Sequence, residues 1–489
     1  EKVSMVHGES GEDEEGVPYV GYVPGISRLG IPPIKMQNGG SGAGASFSSE
    51  RHKKPATAFP VAAAQASTWN KALLYELGKV LGSETKAQGR NVLLAPMINI
   101  VRVPEGGRNF ELFSEDPYLS SRCAVQVIKG IQDMGTIANA KVITANNQET
   151  WRHTVNAIIS ERALREIYLP SFEWSVKKAE VSTLMTAFNF INGIQCSQHE
   201  MLLKQITKNE WGFKGFILTD WGTHHKTVPA AKAGLDMEMS GWGKFGKPKF
   251  KPELADAIRN GKVSMETLNE MVYRILREIK RFGHLDEKKD FPEGKMDVPE
   301  HRRLARQVAI EGAVLLKNDK TTLPLNVGDL NSLALFGDAD RAYATGGGSS
   351  KVVPFYSVTP LEGFKNRLPN KRVVHYEDPE EAEVGNVAIV FIGRSSSEGG
   401  DRESISLAPE SDLINQVASK YEKTVVMLRT PSAYTMPWID KVDAVFQMWY
   451  PGQEEGNAEA ALVFGNTNPS GKLPVTFGRK REDFPATKR

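Results

Sequence analysis

The stretch 212–225, GFKGFILTDWGTHH, passes from a helix-breaking glycine through a short apolar run to an acid. The run FILT at 216–219 shows no apolar–polar alternation, which is typical of a strand buried on both faces of a parallel sheet. Asp220 follows directly, with Trp221 beside it. Because active sites of (β/α)₈ barrels lie at the carboxyl ends of their strands, the stretch predicts a barrel strand that delivers a carboxylate.

Other strands of the same kind surround this one between about residues 90 and 285. The apolar runs are NVLLAP (91–96), STLMTAF (182–188) and GLDMEM (234–239), with helical patterns such as SSRCAVQVIKGIQDMG and MLLKQITKNEWG between them. The polar residues at or just past the predicted strand ends are Arg102, Lys141, Asn146, Asn189, Asp220 and Glu238. This alternation predicts an α/β fold with a (β/α)₈-type barrel over 1–284.

The second half of the chain shows a different pattern of charged and apolar segments. Residues 285–300, LDEKKDFPEGKMDVPE, are charged, contain proline and are poor in apolar side chains, so we interpret them as a linker. Four apolar runs follow: SLALFGD (332–338), NVAIVFIG (386–393), KTVVMLR (423–429) and DAVFQMWY (443–450). They predict a second α/β domain over 301–489, built on an open doubly wound sheet.

Composition excludes several classes of function. The 489 residues carry 61 Lys and Arg against 59 Asp and Glu, a net charge of +2, so no basic footprint for nucleic acid is expected. No apolar run reaches the roughly 18–20 residues that span a bilayer. Cys123 and Cys196 lack metal-ligand spacing and are interpreted as small buried side chains. The glycine-rich stretch TGGGSSK (345–351) lacks the spacing of a phosphate loop, which argues against a nucleotide.

Asp220 allows three interpretations. It could cap the next helix, but the following residues WGTHH do not resemble a helix start. It could bind a metal with His224 and His225, but adjacent histidines point in different directions and no third ligand has suitable spacing. As a nucleophile beside Trp221 it would suit a sugar, because sugar C–H groups pack against aromatic faces. We favour the third interpretation.

Glycosidic bond hydrolysis requires a second carboxyl group, which protonates the leaving oxygen. Glu398 is the candidate, in the small-residue loop GRSSSEGGDRES (393–404) that follows a predicted strand of the second domain. Functional residues concentrate on such loops. The alternative interpretation of Glu398 is a solvated loop acid.

The chain resembles glycoside hydrolase family 3 enzymes of the β-glucosidase type over nearly its whole length. The motifs that carry the resemblance are GGRNFELFSEDPYL (106–119), NNQETWRHTV (146–155), SERALREIYLPSFE (160–173), LMTAFNFING (184–193), EWGFKGFILTDWG (210–222), AGLDMEM (233–239), EGAVLLKND (311–319), WYPGQEEGNAEAALVFG (449–465) and NPSGKLPVTF (468–477). The resemblance implies a barrel followed by an α/β sandwich domain that contributes the acid/base loop.

The resemblance also implies roles for single residues. Asp220 matches the catalytic nucleophile, and Glu398 falls where related loops place the acid/base. The residues implied to bind the sugar are Asn38, Arg108, Lys141, Arg152, Met185, Phe188 and Trp221. For the two arginines the alternative is a structural ion pair, Arg108 with Glu111 and Arg152 with Glu149.

Three positions depart from the family pattern. Val142 stands where a sugar-binding histidine is usual, Asn38 replaces an aspartate, and Phe188 replaces a common tyrosine. Each lost hydrogen bond to a buried sugar is worth about 1–3 kcal/mol, so we expect the sugar preference to differ from the usual one.

The resemblance therefore implies a retaining, exo-acting β-glycosidase that acts on an oligosaccharide or small glycoside. No cofactor or metal is expected, because paired carboxylates suffice for the reaction. The alternative is a catalytically impaired sugar-binding relative, although both carboxylates are retained. An N-acetylhexosaminidase of the same family is disfavoured, because TANNQETWRH replaces its histidine-containing loop.

Overall fold

The computed structural model describes residues 1–44, 54–239, 248–285, 289–484 and 486, and the backbone alone of Lys320. Residues 286–288 of the predicted linker lie outside this part. The strands are β1 (Gly21–Val23), β2 (Ile34–Asn38), β3 (Val92–Leu94), β4 (Ile137–Ile143), β5 (Asn156–Ala157), β6 (Thr183–Thr186), β7 (Phe190–Ile191), β8 (Ile194–Gln195), β9 (Phe216–Thr219), β10 (Val314–Asn318), β11 (Ser332–Gly337), β12 (Arg372–Tyr376), β13 (Val387–Gly393), β14 (Lys423–Arg429) and β15 (Ala444–Gln447).

The helices complete the inventory of elements. They are α1 (Ala62–Ser67), α2 (Lys71–Ala87), α3 (Pro117–Asp133), α4 (Glu161–Ala163), α5 (Pro170–Ala179), α6 (Thr227–Ala233), α7 (Ala255–Arg259), α8 (Met265–Arg281), α9 (Pro299–Gly312), α10 (Pro360–Arg367), α11 (Ser411–Lys420) and α12 (Glu455–Val463). No helix in the described ranges is both long enough and apolar enough to cross a bilayer.

The chain forms two compact units. The first unit comprises Glu1–Lys54, Lys71–Ile100 and Asp116–Met296, and the second unit comprises Pro55–Asn70, Val101–Glu115 and Asp297–Arg489. Two early segments are therefore counted with the second unit. The division into 1–284, 285–300 and 301–489 stays a prediction.

The first unit is built on a curled sheet with the strand order β1-β2-β3-β4-β6-β9. Neighbours from β2 to β9 are parallel, whereas β1 is antiparallel to β2. Isolated bridges continue the ring from Leu218 to Met237, from Glu238 to His7 and from Glu9 to Tyr22 in β1. The six strands and these two short segments thus close on themselves, which is the predicted (β/α)₈-type barrel with one reversed strand.

Two elements of the first unit differ from the sequence patterns. GLDMEM was predicted as a strand but contributes only the bridging positions Met237 and Glu238. The predicted helix MLLKQITKNEWG forms, as a wide π-helical segment over Met201–Glu210. Gly212 follows it with a φ of +69°, a conformation that glycine adopts without strain.

The second unit contains a six-stranded sheet with the order β10-β15-β14-β13-β11-β12. Among the strand pairs of this sheet that the structure describes, β10 and β15 are antiparallel and the others are parallel. Alternate residues of β13 enter two separate hydrophobic clusters: Ala388, Val390 and Ile392 pack on one face, and Val387, Ile389 and Phe391 on the other. Because successive strand side chains point to opposite faces, both faces are covered, and the unit is an α/β sandwich.

Candidate active site

Asp220 lies at the end of β9, whose four residues are all buried. The backbone N–H of Trp221 donates a 2.7 Å hydrogen bond to Asp220 Oδ1, and the Thr223 hydroxyl donates a 2.8 Å bond to the Asp220 carbonyl. Gly222 turns the chain with a φ of +74°. The carboxylate is therefore held by its own turn rather than by the start of a helix.

The indole of Trp221 is fixed by the segment that directly precedes β1. Its Nε1 donates to the carbonyl of Val20 at 3.0 Å. A Cβ at Gly21 would lie 2.7 Å from Cζ2 of Trp221, so a side chain at this position would displace the indole. Trp221 and Asp220 thus form one preorganised corner, as a sugar-stacking interpretation requires.

Strand register aligns further predicted site residues in the first unit. Lys141 in β4 pairs with Met185 in β6, and Met185 pairs with Leu218, two residues before Asp220. Asn38 ends β2 opposite Leu94 of β3. Lys141, Met185 and Asn38 are all buried. Since parallel strands end at one edge, these residues lie toward the carboxyl ends of the strands, where the active sites of (β/α)₈ barrels are found.

The end of β4 is held by a residue that the sequence patterns did not single out. The Asn99 side chain donates to the Val142 carbonyl and accepts from the Val142 N–H, both at 2.9 Å. The adjacent Lys141 carbonyl accepts from Ile98 N at 2.7 Å. Val142 itself is buried. A single amide therefore fixes the backbone next to Lys141.

Arg152 takes part in a mixed polar and aromatic cluster. Its Nη1 donates to Glu149 Oε2 at 2.7 Å, and Asn146 donates to Oε1 of the same carboxylate at 3.1 Å. The guanidinium lies 4.6 Å from the centre of the Phe188 ring, and His153 lies 4.3 Å from that ring. The ion pair considered as the alternative for Arg152 is present, and it holds the arginine against Phe188.

Glu238 is a structural acid rather than an additional candidate for catalysis. Its carboxylate accepts the backbone N–H groups of Lys249 at 3.0 Å and Phe250 at 2.6 Å. His225 Nε2 lies 3.7 Å from the same carboxylate. Burial, with a smaller contribution from Lys249, lowers the pKa of His225 to about 4, so the imidazole is neutral at neutral pH. No three His, Cys, Asp or Glu in the described ranges could hold a metal ion.

Glu398 lies in the second unit, on the loop that follows β13. Its Oε2 accepts the Ser349 N–H at 2.9 Å, and its Oε1 lies 3.6 Å from Arg108 Nη1. The Glu398 side chain is 10% exposed, so it is not a solvated loop acid. Ser349 belongs to the stretch TGGGSSK (345–351), which lacks the spacing of a phosphate loop.

Arg108 is also in the second unit, although its sequence position suggested the barrel. It forms the ion pair with Glu111 that was the alternative interpretation, through two hydrogen bonds of 2.8 Å from Nε and Nη2. It therefore connects two carboxylates, Glu111 and Glu398. The structure thus brings Arg108 next to Glu398, and it places Trp221 beside Asp220 in the first unit.

The two family models that match the chain cover most of it. Residues 28–278 match the Glycosyl hydrolase family 3 N terminal domain, and residues 313–489 match the Glycosyl hydrolase family 3 C-terminal domain.

Individual relatives agree with the family models. The chain is 40% identical over 490 residues to thermostable beta-glucosidase B of Acetivibrio thermocellus, covering 94% of this chain and 63% of the relative. It is 34% identical over 499 residues to exo-alpha-(1->6)-L-arabinopyranosidase of Bifidobacterium breve, covering 95% and 65%. It spans less than two thirds of the length of each of these curated relatives.

A solved structure extends the likeness to three dimensions. Beta-glucosidase 3B from Thermotoga neapolitana in complex with glucose superimposes with a TM-score of 0.89 at 35% identity. The superposition covers 99% of this chain and 74% of that one. The similarity therefore includes the elements of both units.

Proposed function

Because the chain belongs to glycosyl hydrolase family 3, we propose that it is a retaining, exo-acting β-glycosidase of the β-glucosidase type. The observation that carries the proposal is Asp220, held by its own turn at the end of buried strand β9 with Trp221 fixed beside it. The substrate is an oligosaccharide or small glycoside with a terminal β-linked sugar.

The reaction proceeds in two displacements. The Asp220 carboxylate attacks the anomeric carbon while the glycosidic C–O bond breaks, and Glu398 donates its proton to the departing oxygen. Glu398 then removes a proton from water, whose oxygen attacks the anomeric carbon and releases Asp220. The product keeps the β configuration because two inversions occur.

The remaining residues bind the sugar in the same proposal. Lys141 and Arg108 donate to hydroxyl groups, which need fixed and directional partners. Trp221 supplies a face for ring C–H groups, and the positions that complete the subsite are Asn38, Arg152, Met185 and Phe188. Relatives described as beta-glucosidases and as an arabinopyranosidase make glucose and L-arabinopyranose the first sugars to test.

The test uses nitrophenyl glycosides of β-D-glucose, β-D-xylose, β-D-galactose and α-L-arabinopyranose, with Asp220→Asn as the nucleophile variant. We expect release of nitrophenol from at least one substrate and a loss of roughly 10⁴-fold in kcat in the variant. NMR of the first product should show the retained anomer. Sugar binding without turnover on any substrate would instead favour the catalytically impaired relative, and the preferred sugar would show what Val142 and Asn38 select.

A further inference from the structure

The loop that carries Glu398 has little apolar packing of its own. Residues 395–402, SSSEGGDR, are small or polar, and Ser395, Ser397, Gly399 and Gly400 are exposed. One side of the loop borders a cavity of about 510 Å³, whose lining includes Tyr343, Lys351, Ser396, Asp401 and Arg402. Dispersion contacts are lost where a wall faces empty space. The position of the loop must therefore depend on polar contacts.

Arg402 supplies several of these contacts. Its Nη1 donates to the Gly106 carbonyl at 2.9 Å and to the Ser396 hydroxyl at 3.2 Å, and its Nη2 donates to the Pro104 carbonyl. Its backbone N–H donates to the Glu105 carbonyl at 2.8 Å. Burial lowers the pKa of Arg402 below its usual value. Because an unmet donor of a desolvated guanidinium is costly, the bonds from Nη1 and Nη2 fix the groups around them, although Nε has no hydrogen-bond partner in the described part of the chain.

Asp401 and Gly107 join the same two segments. Asp401 Oδ1 accepts the Gly107 N–H at 2.9 Å, and the Ser396 hydroxyl donates to the Gly107 carbonyl at 2.6 Å. A Cβ on Gly107 would lie 2.0 Å from the Gly400 carbonyl oxygen. Glycine is thus required for the close approach of segment 104–107 to the loop.

The contacts lie on both sides of Glu398 in the chain and directly before Arg108. Ser396 precedes Glu398 by two residues, and Asp401 follows it by three. Gly107 is joined covalently to Arg108, whose Nη1 lies 3.6 Å from Glu398 Oε1. A shift between segment 104–107 and the loop would therefore change the position of the Glu398 carboxyl group relative to Arg108.

We propose that Arg402 and Asp401 are positioning residues, which clamp the loop to segment 104–107 and so aim the Glu398 carboxyl group at the leaving oxygen. The proposal rests on the proposed function of Glu398 as acid/base. Arg402 touches no reacting atom in this account. Its effect is confined to the step that needs proton transfer.

The test measures kcat/KM for a series of aryl glycosides whose leaving phenols range from dinitrophenol to phenol. Dinitrophenolate departs without a proton, whereas phenol needs one. For Arg402→Gln we expect little change on the dinitrophenyl substrate and a loss of about 100-fold on the phenyl substrate. Gly107→Ala, which displaces the loop while both charges remain, should show the same selective loss.

The matched control is Arg481→Gln. Arg481 is an exposed arginine whose Nε donates a 2.5 Å hydrogen bond to the side chain of Glu105, which belongs to the same segment 104–107. It should leave the dependence on the leaving group unchanged. Circular dichroism at the assay temperature confirms that each variant is folded.

Glu398→Gln distinguishes a failure of the acid/base assignment from a failure of the proposed clamp. If it does not steepen the dependence on the leaving group, the acid/base assignment fails and the clamp fails with it. If it does, but folded Arg402→Gln and Gly107→Ala lose activity equally on all substrates or lose none, the acid/base assignment stands and the clamp is overturned. Selective loss in all three variants supports both.

Discussion

Arg108 lies between two carboxylates, with Glu111 bound through two 2.8 Å hydrogen bonds and Glu398 at 3.6 Å. A cation this close to a general acid would favour the ionised form of the acid, which cannot donate a proton. The bidentate pair with Glu111 offsets that charge. Glu111 therefore offsets part of the positive charge that Arg108 presents to Glu398.

Replacing Glu111 by Gln should move the alkaline limb of the kcat/KM profile to lower pH, by about one unit. The reason is that Arg108 then acts on Glu398 with its full charge. The profile is measured with an aryl glycoside whose leaving group needs a proton. Glu115→Gln is the matched control, because Glu115 accepts from Thr476 rather than from Arg108. An alkaline limb that stays in place or moves to higher pH in Glu111→Gln would contradict the proposed effect of Glu111 on Arg108.

Asn99→Ala should weaken both stability and substrate binding. It leaves the buried N–H and carbonyl of Val142 without their partner, a loss of about 2–4 kcal/mol in the free energy of unfolding. KM should rise because Lys141 is next in the chain. The control is Asn91→Ala. The Asn91 side chain likewise accepts from a backbone N–H, that of Lys35, and donates to a backbone carbonyl, that of Pro33. Asn91 lies before β3, however, at the opposite end of the strands. That variant should lose stability with an unchanged KM, and equal KM values in the two variants would refute the assignment.

His225 predicts a loss of stability on acidification. Its pKa is about 4 in the folded protein, below the value of 6.5 for a free histidine, chiefly because it is buried. Between these pH values the unfolded chain binds a proton that the folded chain does not, so stability falls as the pH drops from 6.5 to 4. Urea unfolding measures the free energy of unfolding at pH 7.5 and at pH 4.5. The decrease between the two pH values should be smaller by about 2.5 kcal/mol in His225→Gln than in the unaltered protein. Equal losses in both proteins would exclude His225 as the source.

Two buried glutamates of the second unit should respond differently to the same substitution. Glu455 accepts a 2.6 Å hydrogen bond from the fully buried Arg429. In the described part of the chain both carboxyl oxygens of Glu459 lack a hydrogen-bond partner, and burial raises its pKa well above the usual value.

We therefore expect Glu459→Gln, which resembles the neutral acid, to change the free energy of unfolding by less than about 1 kcal/mol. Glu455→Gln should cost about 3–5 kcal/mol, because it leaves a buried guanidinium without its counterion. Both values come from denaturant titration. A larger loss of unfolding free energy for Glu459→Gln than for Glu455→Gln would indicate that Glu459, rather than Glu455, is the ionised glutamate that balances Arg429.

The apolar runs predicted the sheets well, because burial on both faces leaves an uninterrupted signal in the sequence. KTVVMLR coincides with β14, and FILT with β9. Segment 7–9 was not predicted, because so short a bridging segment shows no periodicity, whereas residues 237–238 lie within the run GLDMEM, which predicts a longer strand than the structure forms. The reversed direction of β1 was not predicted either, because a strand of three residues carries no pattern that reveals its direction.

The candidate site was predicted by residue type and by resemblance, but its contacts were not. Asp220 and Trp221 are adjacent in the sequence, so their proximity in the site could be predicted. The partner of Arg108 lies 290 positions away, and such a contact leaves no local pattern. Asn99 acts through its side-chain amide on a neighbouring strand, which composition and spacing do not register.

The ring of strands in the first unit is closed by chain segments from its two ends. Residues 7–9 lie between β1 and residues 237–238, so closure joins positions about 230 residues apart. During synthesis the ribosome releases residue 7 long before residue 238. The emerging barrel therefore exposes an unpaired strand edge until more than two hundred further residues have been made, and this is the interval in which a chaperone would have most to protect.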